Sequence, residues 1–549
     1  MTTRLLQVSV VVHDKRGEPV GDLTKDDFVL YDKGQEQKIS YFSKETSRSS
    51  PIDVPAVGEG LYSNRFVTVR TGGETKIAPL PDSLTVILID GLNTAFADQA
   101  RSKQALVKFL QQLHPGDRVA IYTLTSGLHV LHDFTSDVSS LLAAIDRHSS
   151  TESSALQASS YEESTIGVDN LDSFLDQANK KISEFYQAHR TETTLQALET
   201  IANRLSGLPG RKNLIWLSSG FPIFVGQNLN GTDMGSLLQP GEQASVSDSR
   251  SFYDELQRTW RAINDAGVAV YPVDAQGLPG FEVRSPSASA ASAGVLTVVP
   301  GTLQNPAPPN PSRRAGVARP IDVRAANQMD QARSVMIELA ERTGGRAFYN
   351  DNDIAGSIRA AVNDSLVTYV LYYSPAHNDW NGQFREIKIK LNKPGLEARY
   401  RKGYYALPEI ATDENSRQAV LTAAAMSPLM STGMTLLGRV MEKPTNERQH
   451  VVLSVVIDAH DVHFGRNAQG QPDATVDLLA LVFTDHPDPV KQTGRVIHLA
   501  LKQEQYDQMM KSGIRMTLEV EAPMNALRVR VVARDASSGK VASLDVPIK

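Results

Sequence analysis

The segment Ser83–Thr94, reading SLTVILIDGLNT, constrains this chain more than any other. It is almost uninterruptedly apolar up to Ile89 and stops at Asp90, before a Gly/Asn/Thr turn. From Asp98 to Leu113 the apolar positions Ala100, Leu106, Phe109, Leu110 and Leu113 then fall at helical spacing. An apolar run that ends in a carboxylate reads as a strand buried on both faces, as in a parallel sheet. Ligands of such sheets sit beyond the carboxyl ends of the strands, which puts Asp90 where a site belongs. The other reading of Asp90 is an N-cap for the helix that follows.

The same unit recurs. Asp117–Leu124 (DRVAIYTL), Asn213–Ser219 (NLIWLSS), Val268–Asp274 (VAVYPVD) and a short Arg346–Tyr349 read as further strands. Helical patterns at Thr193–Leu205, Ser251–Ala266, Gln328–Thr343 and Asp353–Thr368 separate them. Strand–helix alternation over roughly 280 residues predicts an open, mostly parallel sheet covered on both faces.

Outside this core the pattern changes. Residues 5–42 carry period-2 segments (Val8, Val10, Val12; Phe28, Leu30; Ile39, Tyr41), and Val367–Tyr373, Phe384–Leu391 and Leu396–Arg401 are strand-like again. Pieces below about 40 residues seldom bury a core alone. The two halves are therefore expected to pair into one β-sandwich with the α/β domain inserted between them. Two separate small β-layers are the alternative. Beyond a polar linker at 407–418, seven strand-like runs (Met434–Met441, His450–Ala459, Ala474–Asp485, Arg495–Leu501, Arg515–Glu521, Leu527–Asp535 and Val541–Ile548) predict an immunoglobulin- or fibronectin-like sandwich. The expected division is 1–80 and 367–406 for the split sandwich, 81–366 for the α/β domain, and 419–549 for the C-terminal sandwich. An insertion at about 277–324, rich in Ser, Ala and then Pro, is expected to be disordered. The Ser/Glu-rich stretch Ser149–Asp169 reads as a tolerated surface loop.

Composition narrows the function classes. The chain of 549 residues is too long for one core, and a net charge of −6 argues against a dedicated nucleic-acid surface. No apolar run approaches the ~18 residues that a membrane span needs. The absence of cysteine removes disulfides, thiolate metal sites and cysteine nucleophiles together. Met1–Leu6 shows no signal-peptide pattern before the first strand.

Enzyme signatures are missing too: no G-x-x-x-x-G-K-[ST] loop, no H-E-x-x-H helix and no G-x-S-x-G elbow. Gly344-Gly345 reads as a helix C-cap rather than a phosphate cradle. His460, Asp461 and His463 read as a solvated turn rather than a zinc site, and Asp26-Asp27 as a solvated loop.

These segments resemble the von Willebrand factor type A (vWA) family, in particular its bacterial, acidobacterial-type "VWFA-related" group. The resemblance rests on VSVVVHDKRGEPVGDLTKDDFVLYDKGQEQKISYF at Val8–Phe42, VILIDGLNT at Val86–Thr94 and PGDRVAIYTL at Pro115–Leu124. It continues through LPGRKNLIWLSSGFP at Leu208–Pro222, INDAGVAVYPVDAQGL at Ile263–Leu278, LAERTGGRAFYNDND at Leu339–Asp353 and YRKGYYA ending at Ala406. It implies an α/β plus all-β architecture: a vWA-type, doubly wound, mostly parallel sheet flanked by β-sandwich domains.

The family also implies a metal-ion-dependent adhesion site for Mg²⁺ or Mn²⁺, built from an Asp-x-Ser-x-Ser loop, a Thr loop and an Asp loop. Carried over, the first loop supplies Asp90 and Thr94, with Leu92 where a Ser belongs and Asn93 as a further oxygen source. The second supplies Thr193 or Thr194. In the third, Ser219 stands where the Asp belongs. Leu92 offers no oxygen and Ser219 removes a charge, so no metal or only weakly held Mg²⁺ or Mn²⁺ is expected at Asp90, Asn93, Thr94, Thr193 and Ser219. The function expected is non-catalytic binding of a protein partner at the carboxyl-end face, in a periplasmic or secreted setting, with a cytoplasmic one as the alternative. A cell-envelope scaffold without a ligand site is the second expectation, and a hydrolase with an unrecognised site a minor third.

Overall fold

The computed structural model describes residues 5–46, 60–71, 74–79, 83–114, 117–150, 153–159, 169–208, 210–221, 253–277, 323–364, 366–376, 380–381, 383–406, 414–446 and 449–548. The chain begins with β1 (Leu6–His13), β2 (Phe28–Asp32), β3 (Gln35–Gln37) and β4 (Ile39–Thr46). A short β5 (Tyr62–Ser63) and the hairpin β6 (Phe66–Thr71) and β7 (Glu74–Pro79) follow. The α/β core opens with β8 (Ser83–Asp90), α1 (Phe96–Leu110), β9 (Val119–Leu124), β10 (Leu128–Thr135), α2 (Val138–Arg147) and α3 (Ser154–Ser159). It continues with α4 (Asp169–Leu205), β11 (Arg211–Ser218), α5 (Tyr253–Ala266), β12 (Val268–Asp274), α6 (Val323–Thr343) and α7 (Ile354–Asn363). Next come β13 (Val367–Tyr373), β14 (Phe384–Leu391), β15 (Glu397–Tyr400), β16 (Gly403–Tyr405) and α8 (Glu414–Met426). The C-terminal part holds β17 (Leu436–Glu442), β18 (His450–Ile457), β19 (Gly465–Arg466), β20 (Pro472–Phe483), β21 (Lys491–Ala500), α9 (Gln503–Ser512), β22 (Ile514–Glu521), β23 (Arg528–Asp535) and β24 (Val541–Pro547).

The core sheet has the order β10-β9-β8-β11-β12, with β8, β9, β11 and β12 parallel and β10 antiparallel at the edge. Every residue of β8 is buried, because helices cover both faces. On one face Leu84, Val86 and Leu88 pack against Leu198 and Ile201 of α4, Ile263 of α5 and Leu339 of α6. On the other, Ile87 and Ile89 meet Leu106 and Phe109 of α1, Ile145 of α2 and Ile358 of α7. The even and odd positions of one apolar run thus feed two different cores.

Strands from both ends of the core build a two-sheet sandwich. One sheet runs β15-β1-β13-β4 and the other β16-β14-β2-β3. Val10 pairs with Tyr369, and Ile389 with Leu30, so each sheet mixes early and late segments. Val8, Val10, Phe28, Leu30, Tyr369, Leu371 and Ile387 fill the space between them. Asp32 is buried in the same core and accepts hydrogen bonds from the hydroxyls of Tyr373 and Tyr404, both at 2.9 Å.

In the C-terminal part, a sheet β22-β18-β17-β5 faces a sheet β19-β20-β23-β24, with β21 paired to β20. Each of the seven expected strand-like runs there forms a strand. Tyr62–Ser63 joins β17, so this stretch leaves the split sandwich to which 1–80 was assigned. The reason lies in Asn64, whose side chain donates to the carbonyls of Ser431 and Met434 and accepts from the amide of Leu436, each at 2.9 Å.

Other expectations change as well. Residues 414–418, read as linker, open α8, which buries Leu421, Ala424 and Ala425 against the C-terminal sheet. The rest of that linker, 407–413, lies outside the described residues. Arg346–Tyr349 makes a single parallel bridge, Val273 to Phe348, because the backbone turns at Asn350 with φ +55°. The edge strand β10 was not foreseen. Part of Ser149–Asp169 is helical as α3, and 160–168 lies outside the described residues, as do 278–322 of the insertion expected at 277–324.

The core and the C-terminal part meet at the end of α4. Thr432 donates its hydroxyl to the carbonyl of Arg204 at 2.7 Å and accepts from the amide of Gly207 at 3.0 Å. Arg65 closes the junction, donating to the carbonyls of Thr432 at 2.9 Å and Gly433 at 3.1 Å and pairing with Asp461 at 3.1 Å.

Candidate functional site

The chain leaves β8 for β9 on one side and only later crosses to β11 on the other, so the strand order reverses between β8 and β11. In sheets of this kind the crevice at that reversal is the preferred ligand position. The two strands run in register, with Leu217 opposite Ile89, and their carboxyl ends bring Asp90 and Ser218 together.

Asp90 is 1% exposed and surrounded by donors. Its Oδ1 accepts from the backbone amide of Asn93 at 2.9 Å, and its Oδ2 from the Asn93 side-chain amide at 2.9 Å. The same Oδ2 accepts from the Trp216 indole at 3.0 Å and the Ser218 hydroxyl at 2.8 Å. Burial pushes the Asp90 carboxyl above the usual carboxylate range, and the bonds from Asn93, Ser218 and Trp216 act against that. Asp90 is not a helix cap: α1 starts at Phe96 behind Ala95, whose side chain makes no capping bond.

A further layer surrounds this pair. The Asn93 amide also donates to Thr194 Oγ1 at 2.9 Å, and its carbonyl oxygen accepts from Arg190 Nε at 3.0 Å. Arg190 is 8% exposed and donates through Nη1 to Ser159 at the end of α3, at 2.5 Å. Burial pushes its pKa down to about 10, with the Asp90 charge opposing the fall. Arg190 and Thr194 lie one helical turn apart on α4, so they share a face and reach the same loop.

Of the sequence-predicted residues, Asp90 and Asn93 therefore meet directly. Thr94 sits beside them, its hydroxyl accepting from the Ser219 amide at 3.1 Å. Thr193 is not part of the cluster: its hydroxyl returns to the carbonyl of His189 at 2.8 Å. The Ser219 hydroxyl points to Asp98 at 3.4 Å instead of Asp90. Thr194, the other candidate of the second loop, and Ser218, one residue before the expected position, fill those two roles. Trp216 and Arg190 escaped the sequence reading. Arg190 was visible there as a basic residue one turn before Thr194.

The donor set does not fit a cation. Among the described residues, Asp90 is bonded by two N–H groups of Asn93, an indole N–H and a hydroxyl, and each turns a hydrogen toward it. Hard cations require oxygen lone pairs. Leu92 is 3% exposed and packs in the apolar core with Leu88, Leu124 and Leu195, on the wrong side to be a ligand position. Asp461 in the His460–His463 turn serves the Arg65 junction. Among the described residues no group of three His, Cys, Asp or Glu side chains could hold a metal.

No protein-family model matches the chain, and no curated protein matches it in sequence. Solved structures with a similar course of the chain include a serine-substituted aerotolerance-related membrane protein from Bacteroides fragilis. It is 13% identical, over 51% of this chain and 98% of that one, with a TM-score of 0.25. The von Willebrand factor domain of a type V pilus tip protein from Porphyromonas gingivalis is also 13% identical, over 35% and 80%, with a TM-score of 0.20. A von Willebrand factor type A protein from Catenulispora acidiphila is 10% identical, over 71% and 81%, with a TM-score of 0.23. Likenesses of this strength carry no functional argument, and the site stands on its own geometry.

Proposed function

We propose that this protein is a non-catalytic, metal-independent binding protein that docks a protein ligand on the carboxyl-end face of its α/β sheet. The convergence of Asp90, Ser218, Asn93 and Thr194 at the reversal of strand order is the observation that supports this most. A buried carboxylate there costs stability unless several donors hold it. Four donors do so here, two from Asn93 in the loop after β8 and two, the Trp216 indole and the Ser218 hydroxyl, from the end of β11, and they fix the shape of that face. The sequence resemblance to vWA proteins supports the same reading, including a periplasmic or secreted setting. No described helix is long and apolar enough to cross a membrane.

The test uses photo-crosslinking from two exposed positions in the producing cell. Ala97 lies at the carboxyl-end face and Gln112 just past the far end of α1. A specific partner captured from Ala97 and not from Gln112, with and without chelator, is the expected result. Equal capture from both ends, or loss of capture with chelator, contradicts it.

A further inference from the structure

Among the described residues, the cation bonded into the Asp90 network is Arg190. A site made to hold a divalent ion does not bury a guanidinium beside it, because like charges in a poorly solvated place repel strongly. We propose that Arg190 is the resident cation of this site, and that its guanidinium, relayed through the Asn93 amide, neutralises Asp90 in the role a divalent ion would otherwise fill. The inference deepens the metal-independent reading above and rests on it.

Three features of the geometry lead there. First, the Asn93 amide is aligned between the two charges, with its oxygen toward the guanidinium at 3.0 Å and its nitrogen toward the carboxylate at 2.9 Å. That dipole lowers the energy of both charges, and a flipped amide would raise it for both. Second, both charges are more than nine-tenths buried, and a buried charge is retained when a partner compensates it. Third, the groups around the pair are committed. The Thr194 hydroxyl donates to the Arg190 carbonyl at 2.8 Å while accepting from Asn93, so the helix turn carrying the cation is tied to the loop carrying the anion. A metal ion entering here would have to turn the Asn93 amide, whose oxygen Arg190 holds, and stand against a fixed positive charge; removing Arg190 lifts both obstacles.

The inference makes an unusual demand: removing the arginine should create a response to metal where none existed. The experiment measures thermal unfolding of the full chain by tryptophan fluorescence, in chelator and in millimolar Mg²⁺, for three proteins: wild type, Arg190→Gln, and Arg190→Gln combined with Asp90→Asn. Trp216 bonds Asp90 directly and reports on the site. Wild type is expected to melt at the same temperature in both buffers. Arg190→Gln is expected to melt roughly 5 °C lower in chelator and to regain at least half of that in Mg²⁺. The double variant, with no charge left to neutralise, is expected to melt above the single variant in chelator and to ignore Mg²⁺.

An Arg190→Gln protein that melts low, gains nothing from Mg²⁺ and is not relieved by Asp90→Asn overturns the resident-cation role but leaves metal-independent docking standing. A wild type stabilised by Mg²⁺ as much as Arg190→Gln overturns both. If Arg190→Gln alone yields no folded protein, the double variant decides: folded and indifferent to Mg²⁺ upholds the inference, and unfolded overturns it.

Discussion

Gly207 and Thr432 approach so closely that a Cβ on Gly207 would stand 1.6 Å from the Thr432 carbonyl oxygen. The contact joins the end of α4 to the entrance of the C-terminal sandwich, and only glycine allows it. Gly207→Ala is therefore expected to force the two surfaces apart and cost about 2–4 kcal/mol of junction stability. Limited proteolysis should then separate the core from the C-terminal part, with each fragment resistant by itself. A variant as resistant at the junction as wild type contradicts the packing described.

Which of two adjacent hydroxyl residues faces the network gives a paired test. Ser218→Ala and Thr194→Val each remove a hydroxyl from the buried network and are expected to cost about 1–3 kcal/mol. Ser219→Ala and Thr193→Val, one position away, are expected to stay within about 0.5 kcal/mol of wild type. Urea unfolding followed by tryptophan fluorescence ranks the four. Reversal of either pair would show that the register is wrong.

Leu92→Ser would restore the adhesion-site motif in letters only. The side chain lies in the apolar core, so the change is expected to leave a cavity and an unpaired hydroxyl, costing about 2–4 kcal/mol. Calorimetric titration with Mg²⁺ should show no gain in affinity over wild type. Tightened Mg²⁺ binding would place residue 92 at the site after all.

Lys212, at the start of β11, is buried with its ammonium donating to the Leu208 carbonyl at 2.9 Å. Burial pushes its pKa from 10.5 down to about 8, with Glu45 opposing. The unfolded chain therefore binds the extra proton between about pH 8 and 10.5, and this group's contribution to stability rises with pH across that window. Below pH 8 its burial cost is fully present. Lys212→Met is expected to stabilise the core by about 1–3 kcal/mol at pH 7, with the gain fading toward the upper end of the window. Denaturant melts at the two ends check it, and a variant less stable than wild type at pH 7 contradicts it.

What the sequence revealed depended on whether burial alone fixed the feature. β8, β9, β11 and β12 were legible because a strand covered on both faces must be apolar throughout. The pairing of Val8–Val12 with Val367–Tyr373 followed from volume, since neither piece has a core alone. β5 was not legible, because two residues carry no period and their place is set by the distant Asn64 bonds to Ser431 and Met434. The choice between Thr193 and Thr194 stayed open, and Ser218 was missed in favour of Ser219, for a similar reason. Neighbouring hydroxyl residues are equivalent in a string of letters, and helix rotation or strand pleat decides which of them faces Asp90. Arg190 was overlooked because a motif written for a metal leaves no position for a guanidinium.

The split sandwich imposes a schedule on the newborn chain. β4 ends at Thr46, and β13, the strand it pairs with, begins at Val367, 321 residues later. At about 5–20 residues per second, the ribosome takes roughly 15–60 s to deliver that partner. During that interval β1 and β4 wait beside a growing core with open edges, at hazard of pairing with another nascent chain. A cell making this protein must shield those first strands or carry the chain elsewhere before they close. Slowing translation between Thr46 and Val367 is therefore expected to lower the yield of folded protein more than slowing it after Tyr405.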